Sequence, residues 1–162
     1  LFRSGLTTCA LFYARIKARI FGSKTAFISF DPWFRNGFLD KDEYGVSMLS
    51  HSDFAKLCEG CESKSTEYDE IVLDIPYVGA ESINRLDMCE NRIVVSGFSE
   101  KRSAPSQKLF EILSDSSAKY SGAPKTILFS NHFDSTADTS DIHSQLGKEV
   151  MELAKRLGTI KA

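Results

Sequence analysis

The chain has 162 residues, 42% hydrophobic and 26% charged, a length and composition that suit one ordinary globular domain spanning residues 1–162. Its formal net charge of −2 gives no overall attraction to nucleic acid or anionic membranes, and no apolar stretch approaches the roughly 20 residues that cross a bilayer. The first residues lack the layout of a secretory signal, and four unevenly placed cysteines make no disulfide framework, so we expect a reduced, cytoplasmic protein.

The hydrophobic pattern predicts strands and helices in alternation. Nearly continuous β-branched and aromatic runs predict strands at residues 25–30, 70–73, 92–95 and 126–129. Apolar residues at helical spacing predict helices at residues 7–21, 52–57, 80–88, 106–120 and 141–157. Pro105 then precedes a helix, and Asp141 is the expected N-cap of the last one. This order predicts an α/β fold, a doubly wound and mostly parallel sheet with helices on both faces.

Each predicted strand ends at a polar or turn residue. Ligands of open α/β sheets gather beyond the carboxyl ends of the strands, which places Asp31, Asp74, Ser96 and Asn131 on one rim. The two carboxylates suit Mg²⁺ binding through water or the positioning of an attacking water. A single Asp before Pro equally well caps a turn, so the pair, rather than either residue alone, favours a site.

Four segments carry more specific patterns. Residues 68–76 (YDEIVLDIP) form a hydrophobic strand ending in Asp-x-Pro, and residues 30–36 (FDPWFRN) place an Asp ahead of a loop. Residues 126–132 (TILFSNH) end a strand near an Asn, and residues 4–8 (SGLTT) lead a Gly and a Thr pair into a helix. They resemble, respectively, the Walker B strand with the second switch, the first switch, the adenine-contacting strand and the P-loop end of ParA- and MinD-type deviant Walker A ATPases.

The resemblance implies ATP and Mg²⁺ as cofactors and assigns roles to the matching residues. Asp31 would be the catalytic residue that orients the hydrolytic water. Asp74 would hold Mg²⁺ through water, and Thr7 would ligate the ion directly. The nucleotide-binding residues would be Gly5, Thr7, Thr8 and Asn131.

The P-loop departs from the family pattern at two positions. Leu6 stands where the family has the Lys before the Thr pair, and Leu1 stands where it has the second, signature Lys. Leucine neither balances phosphate charge nor donates a hydrogen bond. We therefore expect very slow ATP hydrolysis at most, and we place less weight on a nucleotide-sandwich homodimer. The strand that precedes the family's P-loop is also missing, which an N-terminally truncated sequence would explain.

The resemblance implies an ATP-binding protein of plasmid partition or stability, or of intracellular positioning. A nucleotide, a second copy of the chain and an adaptor or cargo protein are the partners it suggests, while direct nucleic-acid binding stays open. Two alternatives remain. One is a catalytically inactive binding module of the same architecture, and the other is a receiver- or flavodoxin-like signalling domain.

Two further features fit structural roles better than functional ones. Cys58 and Cys61 form a CxxC motif, but no second motif at ligand spacing accompanies it to suggest zinc. Trp33, Phe34 and Phe38 are unusually apolar for a switch loop. We interpret them as a local aromatic plug over the sheet edge and keep a partner-docking surface as the alternative.

Overall fold

A computed structural model describes residues 6–59, 67–76, 80–96, 100–117, 125–130 and 143–158. The helices are α1 Leu6–Arg19, α2 His51–Glu59, α3 Ala80–Asp87, α4 Glu100–Ser117 and α5 Gln145–Gly158. The strands are β1 Thr25–Ser29, β2 Ser47–Met48, β3 Glu70–Asp74, β4 Asn91–Ser96 and β5 Lys125–Ser130. In these ranges, no helix is long and apolar enough to cross a membrane.

The chain divides into two compact units. One contains Thr7–Pro76 with Asp138–Ala162, and the other contains Tyr77–Ala137 with the first six residues. In the first unit, β2, β1 and β3 form a parallel sheet in that order, and Ser29 lies opposite Asp74 at the carboxyl ends of β1 and β3. All five residues of the central strand β1 are buried, as expected for a strand paired on both sides and covered on both faces.

Helices cover both faces of this three-stranded sheet. Successive side chains of a strand point to opposite faces, so Phe27 packs with Ala14 of α1 while Ala26 and Ile28 pack with Phe54 of α2 and its neighbours. A fully buried Phe or Ile side chain contributes about 1.5–3 kcal/mol to folding. The hydrophobic pattern of β1 therefore fixes it between two helical layers.

In the second unit, β4 and β5 pair in parallel along their whole length, and α4 packs against both strands. The predicted α/β class with parallel strands is confirmed. The described strands form two sheets, of three and two strands, and one doubly wound sheet stays a prediction.

Two helix starts differ from the prediction. Helix α4 begins at Glu100, so Pro105 lies inside the helix rather than before it. The missing N–H removes one intrahelical bond, while the hydroxyl of Ser106 donates to the carbonyl of Val95 and ties the helix to β4. Helix α5 is capped by Ser144, whose Oγ accepts the N–H of Gly147 at 3.2 Å. The predicted cap, Asp141, lies outside the described residues.

Candidate functional site

The carboxyl ends of β1 and β3 bring two buried polar side chains together. Ser29 and Asp74 are both fully buried, and the Ser29 hydroxyl donates to Oδ2 of Asp74 at 2.5 Å. The N–H of Phe30 donates to the carbonyl of Asp74 at 2.8 Å, which continues the strand pairing one residue past β1. The next residue, Asp31, is therefore held close to Asp74.

Asp74 is the most unusual charged group at this rim. Its Oδ1 atom is buried and has no hydrogen-bond partner among the described residues. Burial raises the pKa of Asp74, the nearby hydroxyls of Ser29 and Thr7 lower it, and the negative charge of Asp31 raises it. A buried polar atom left unpaired costs about 1–3 kcal/mol, so proteins rarely keep one without a functional reason.

Helix α1 contributes the second part of the rim. Thr7 lies in its first turn, and its hydroxyl is close enough to the Asp74 carboxylate to lower the pKa without completing a hydrogen bond to Oδ1. The first turn of α1 contains no acidic residue, so the positive end of the helix dipole favours an anion there. Thr8 follows in the same turn and is half-buried.

Asp31 accepts hydrogen bonds within its own loop and also lies close to Asp74. Its Oδ1 accepts the N–H of Trp33 at 2.9 Å, and its carbonyl accepts the N–H of Phe34 at 3.0 Å. It therefore caps a turn, as the simpler interpretation predicted. The same residue also lies near enough to Asp74 for its charge to raise the pKa of that carboxyl, in keeping with the expectation that both residues stand on one rim.

Sequence reasoning missed the residue that closes the loop. The amide of Asn36 accepts the N–H of Ser29 at 2.9 Å and donates to the carbonyl of Ser29 at 2.5 Å. Its Nδ2 also lies 3.2 Å from Nε2 of His51, whose ring contacts Phe30 edge to face. The signal in the sequence was the Asn-Gly pair, since Gly37 has a positive φ of 69° that a side chain would strain.

The aromatic side chains of Trp33, Phe34 and Phe38 form only part of the plug that we expected over the sheet edge. Phe34 packs edge to face against Phe27, with ring centroids 5.5 Å apart. Trp33 and Phe38 are 74% and 73% exposed, so the plug interpretation is wrong for both. Their backbone follows the turn that Asp31 caps, which directs one of three neighbouring aromatics inward and leaves the others in solvent.

The rim therefore unites Thr7, Asp31 and Asp74, three of the predicted site residues. Gly5 and Asn131 lie outside the described residues, as does Cys61. Within the described ranges, no group of three or more His, Cys, Asp and Glu side chains could hold a metal ion. Comparisons with protein-family models, curated proteins and solved structures found no match.

Proposed function

We propose that the rim formed by Thr7, Asp31 and Asp74 binds Mg²⁺ together with the phosphates of ATP or ADP. The observation that carries this proposal is Oδ1 of Asp74, a buried carboxylate oxygen without a hydrogen-bond partner among the described residues. An incoming cation, directly or through its water, would compensate this oxygen and the repulsion from Asp31.

The chemistry of the donors suits Mg²⁺. This ion binds through oxygen atoms, and nucleotide sites hold it with one or two carboxylates, phosphates and water. Two neighbouring carboxylates and the hydroxyl of Thr7 therefore suffice, without a larger acidic cluster. The N-terminus of α1, free of acidic residues in its first turn, favours phosphate on the same side as Thr7.

The same proposal includes a doubly wound fold of the ParA and MinD kind. Support comes from the parallel pairing of β1 with β3, which places the switch-like Asp31 beside the Walker B-like Asp74. A flavodoxin- or receiver-like domain is also doubly wound, in the strand order 2-1-3-4-5, so the two described sheets, β2-β1-β3 and β4-β5, do not separate it from this fold. The sequence resemblance favours the ParA and MinD kind over it.

We propose nucleotide binding with little or no hydrolysis. Leu6, the first residue of α1, supplies no charge where the family's Lys meets the phosphates. One oxygen of Asp31 is also engaged by the N–H of Trp33, which restrains it from orienting a water. A cytoplasmic role in plasmid partition or intracellular positioning, with a second copy, adaptor or cargo protein as partner, is supported by the sequence resemblance alone.

Calorimetry with ADP in the presence and absence of Mg²⁺ tests the proposal. We expect Mg²⁺ to strengthen ADP binding, and we expect Asp74→Asn to remove this strengthening because the amide keeps the shape but loses the charge. Asp115→Asn, an exposed acid of α4, is the matched control and should bind like the wild type. Absence of ADP binding by the wild type in Mg²⁺ would show that the proposal is wrong.

A further inference from the structure

The side chain of Asn36 supplies hydrogen bonds to the edge of β1 beyond the point where β2 stops pairing with it. Strand β2 pairs with Ala26 and Phe27 only, and Leu49 adds one more bond to the carbonyl of Phe27. Two residues along β1, the main-chain N–H and C=O of Ser29 point to the same edge, because alternate residues of a strand do so. The side-chain amide of Asn36 satisfies both groups, in the way that a further residue of β2 would.

Ser29 connects this pairing to the Asp74 carboxylate and to the main chain of Asp31. Its hydroxyl donates to Oδ2 of Asp74 and accepts the N–H of Asp31 at 3.1 Å. The side chain of Asn36 touches neither carboxylate in these contacts. The two hydrogen bonds of Asn36 to β1 therefore reach the rim through Ser29.

The surroundings of Asn36 define its orientation. Because Oδ1 accepts the N–H of Ser29, Nδ2 must face the carbonyl of Ser29 and the Nε2 atom of His51. After Asn36, the chain turns at Gly37, where an added Cβ would lie only 3.0 Å from the Cβ of Ser50. The orientation of the amide is thus set by its contacts with Ser29 and His51.

We propose that Asn36 is a positioning residue of the cation site and sets how strongly Mg²⁺ promotes nucleotide binding. This inference rests on the proposed function, because it concerns the same rim. By holding Ser29, Asn36 keeps Oδ2 of Asp74 engaged and Oδ1 free, and it keeps Asp31 close by. Its loss leaves the phosphate-facing end of α1 unchanged, so nucleotide binding without Mg²⁺ is preserved.

The test compares the dissociation constants of ADP with and without Mg²⁺ for the wild type and for Asn36→Ala. Their ratio should fall about tenfold in the variant, the effect expected when one or two hydrogen bonds that hold the site are lost. The dissociation constant of ADP without Mg²⁺ should stay within about twofold of the wild-type value. The contacts of Asn36 are with Ser29 and His51 rather than with the proposed phosphate site, and changes away from a binding contact have small effects.

Two control variants and one alternative to Asn36→Ala complete the test. His51→Ala removes the contact of Nδ2 with the ring and leaves the pairing with Ser29, so its ratio should stay close to that of the wild type. Asn84→Ala, an exposed Asn of α3, should also leave the ratio unchanged. Asn36→Ser keeps a polar loop but is too short to bridge both groups of Ser29, and it should repeat the loss if Asn36→Ala does not fold.

The outcomes separate this inference from the proposed function. If the wild type shows no Mg²⁺-promoted ADP binding, the proposed function fails. If the wild type shows it and both Asn36 variants keep the wild-type ratio, the positioning role is refuted. An equal weakening of both constants would also refute it, because general loss of structure does not distinguish binding with Mg²⁺ from binding without it.

Discussion

The two ends of β3 carry carboxylates in opposite situations. At the amino end, both oxygens of Glu70 have partners: the hydroxyl of Tyr13 donates to Oε1 at 2.7 Å, and the ammonium of Lys17 lies 3.2 Å from Oε2. At the carboxyl end, Asp74 has the hydroxyl of Ser29 on one oxygen and no partner among the described residues on the other. Both ends lie against α1, but only the first is fully compensated.

This difference separates a carboxylate that is fully paired within the fold from one that is not. Tyr13 and Lys17 are four residues apart and therefore lie on one face of α1, where together they fasten the helix to Glu70. Such a pair holds the fold without needing a ligand. Asp74 adds an unfavourable buried charge to the unliganded protein, and perturbed groups of this kind concentrate at binding and catalytic sites.

Removing the negative charge of Glu70, at the compensated amino end of β3, should destabilise the fold. Glu70→Gln leaves the ammonium of Lys17, whose side chain is only 11% exposed, without its negative partner. We expect the free energy of unfolding to fall by about 2 kcal/mol, less than for a fully buried pair because Glu70 is 22% exposed. Urea unfolding followed by circular dichroism measures this change.

Glu152→Gln is the matched control for that variant. Glu152 and Lys155 form an exposed ion pair on α5, with oxygen and nitrogen 2.9 Å apart. Surface pairs contribute little, so the control should lose less than about 0.5 kcal/mol. Equal losses in the two variants would mean that the Glu70 cluster contributes no more than a surface ion pair.

Removing the negative charge of Asp74, at the uncompensated carboxyl end of β3, should instead stabilise the fold. Asp74→Asn removes a buried charge that Asp31 repels, while the amide oxygen still accepts from Ser29. Without ligand at neutral pH, we expect the free energy of unfolding to rise by about 1.5 kcal/mol. A loss similar to that of Glu70→Gln would erase the distinction between the two ends.

The pH dependence of this gain follows from the raised pKa of Asp74, for which burial is the largest cause. An unfolded Asp releases its proton near pH 3.9, so above that pH the folded state still holds a proton that the unfolded state has lost. Stability must therefore fall as pH rises through this window. The difference between Asp74→Asn and the wild type should be small below about pH 4 and grow to its full size above the raised pKa.

Among the changes at the two ends of β3, the smallest effect should come from removing one hydroxyl at the compensated end. Tyr13→Phe leaves Lys17 on Glu70 and should lower the free energy of unfolding by about 1 kcal/mol at neutral pH. The pKa of Tyr13 is raised by burial, then by its hydrogen bond to Glu70 and the charge of that residue. Its contribution is therefore present below about pH 10 and lost as the pH rises further.

Unfolding measured from pH 8 to pH 11 checks this expectation. The difference in the free energy of unfolding between wild type and Tyr13→Phe should shrink over the upper part of the range, because only the wild type has a phenol at position 13 to ionise. A constant difference in the free energy of unfolding across this pH range would contradict the expectation that Tyr13 stays neutral in the folded protein.

Most of the fold could be predicted because its signals are local. The apolar runs of β1 and β3 and the helical spacing in α1 predicted those elements within a few residues. Strand β2 was missed because two residues, Ser47 and Met48, are too few to show a period. The early start of α4 was missed because Pro105 is normally placed before a helix, and contacts with β4 and β5 outweigh that preference.

The candidate site was predicted only where strand ends and motifs pointed to it. Asp31 and Asp74 follow β-branched runs, and Thr7 begins a helix, so the rule for open α/β sheets placed them together. Ser29 and Asn36 were missed because their roles depend on how the loop returns to β1. A hydrogen bond between a side-chain amide and a strand seven residues earlier has no signature in composition or period.

The sequence by itself determined where most strands and helices lie, and that acidic residues stand at the ends of β1 and β3. Period and turn chemistry act between near neighbours in the chain, which is why they can be interpreted without coordinates. Only the tertiary structure decided that Glu70 is compensated by residues more than 50 positions earlier while Asp74 is not. That distinction depends on burial and on contacts of about 3 Å, which exist only after the chain has folded.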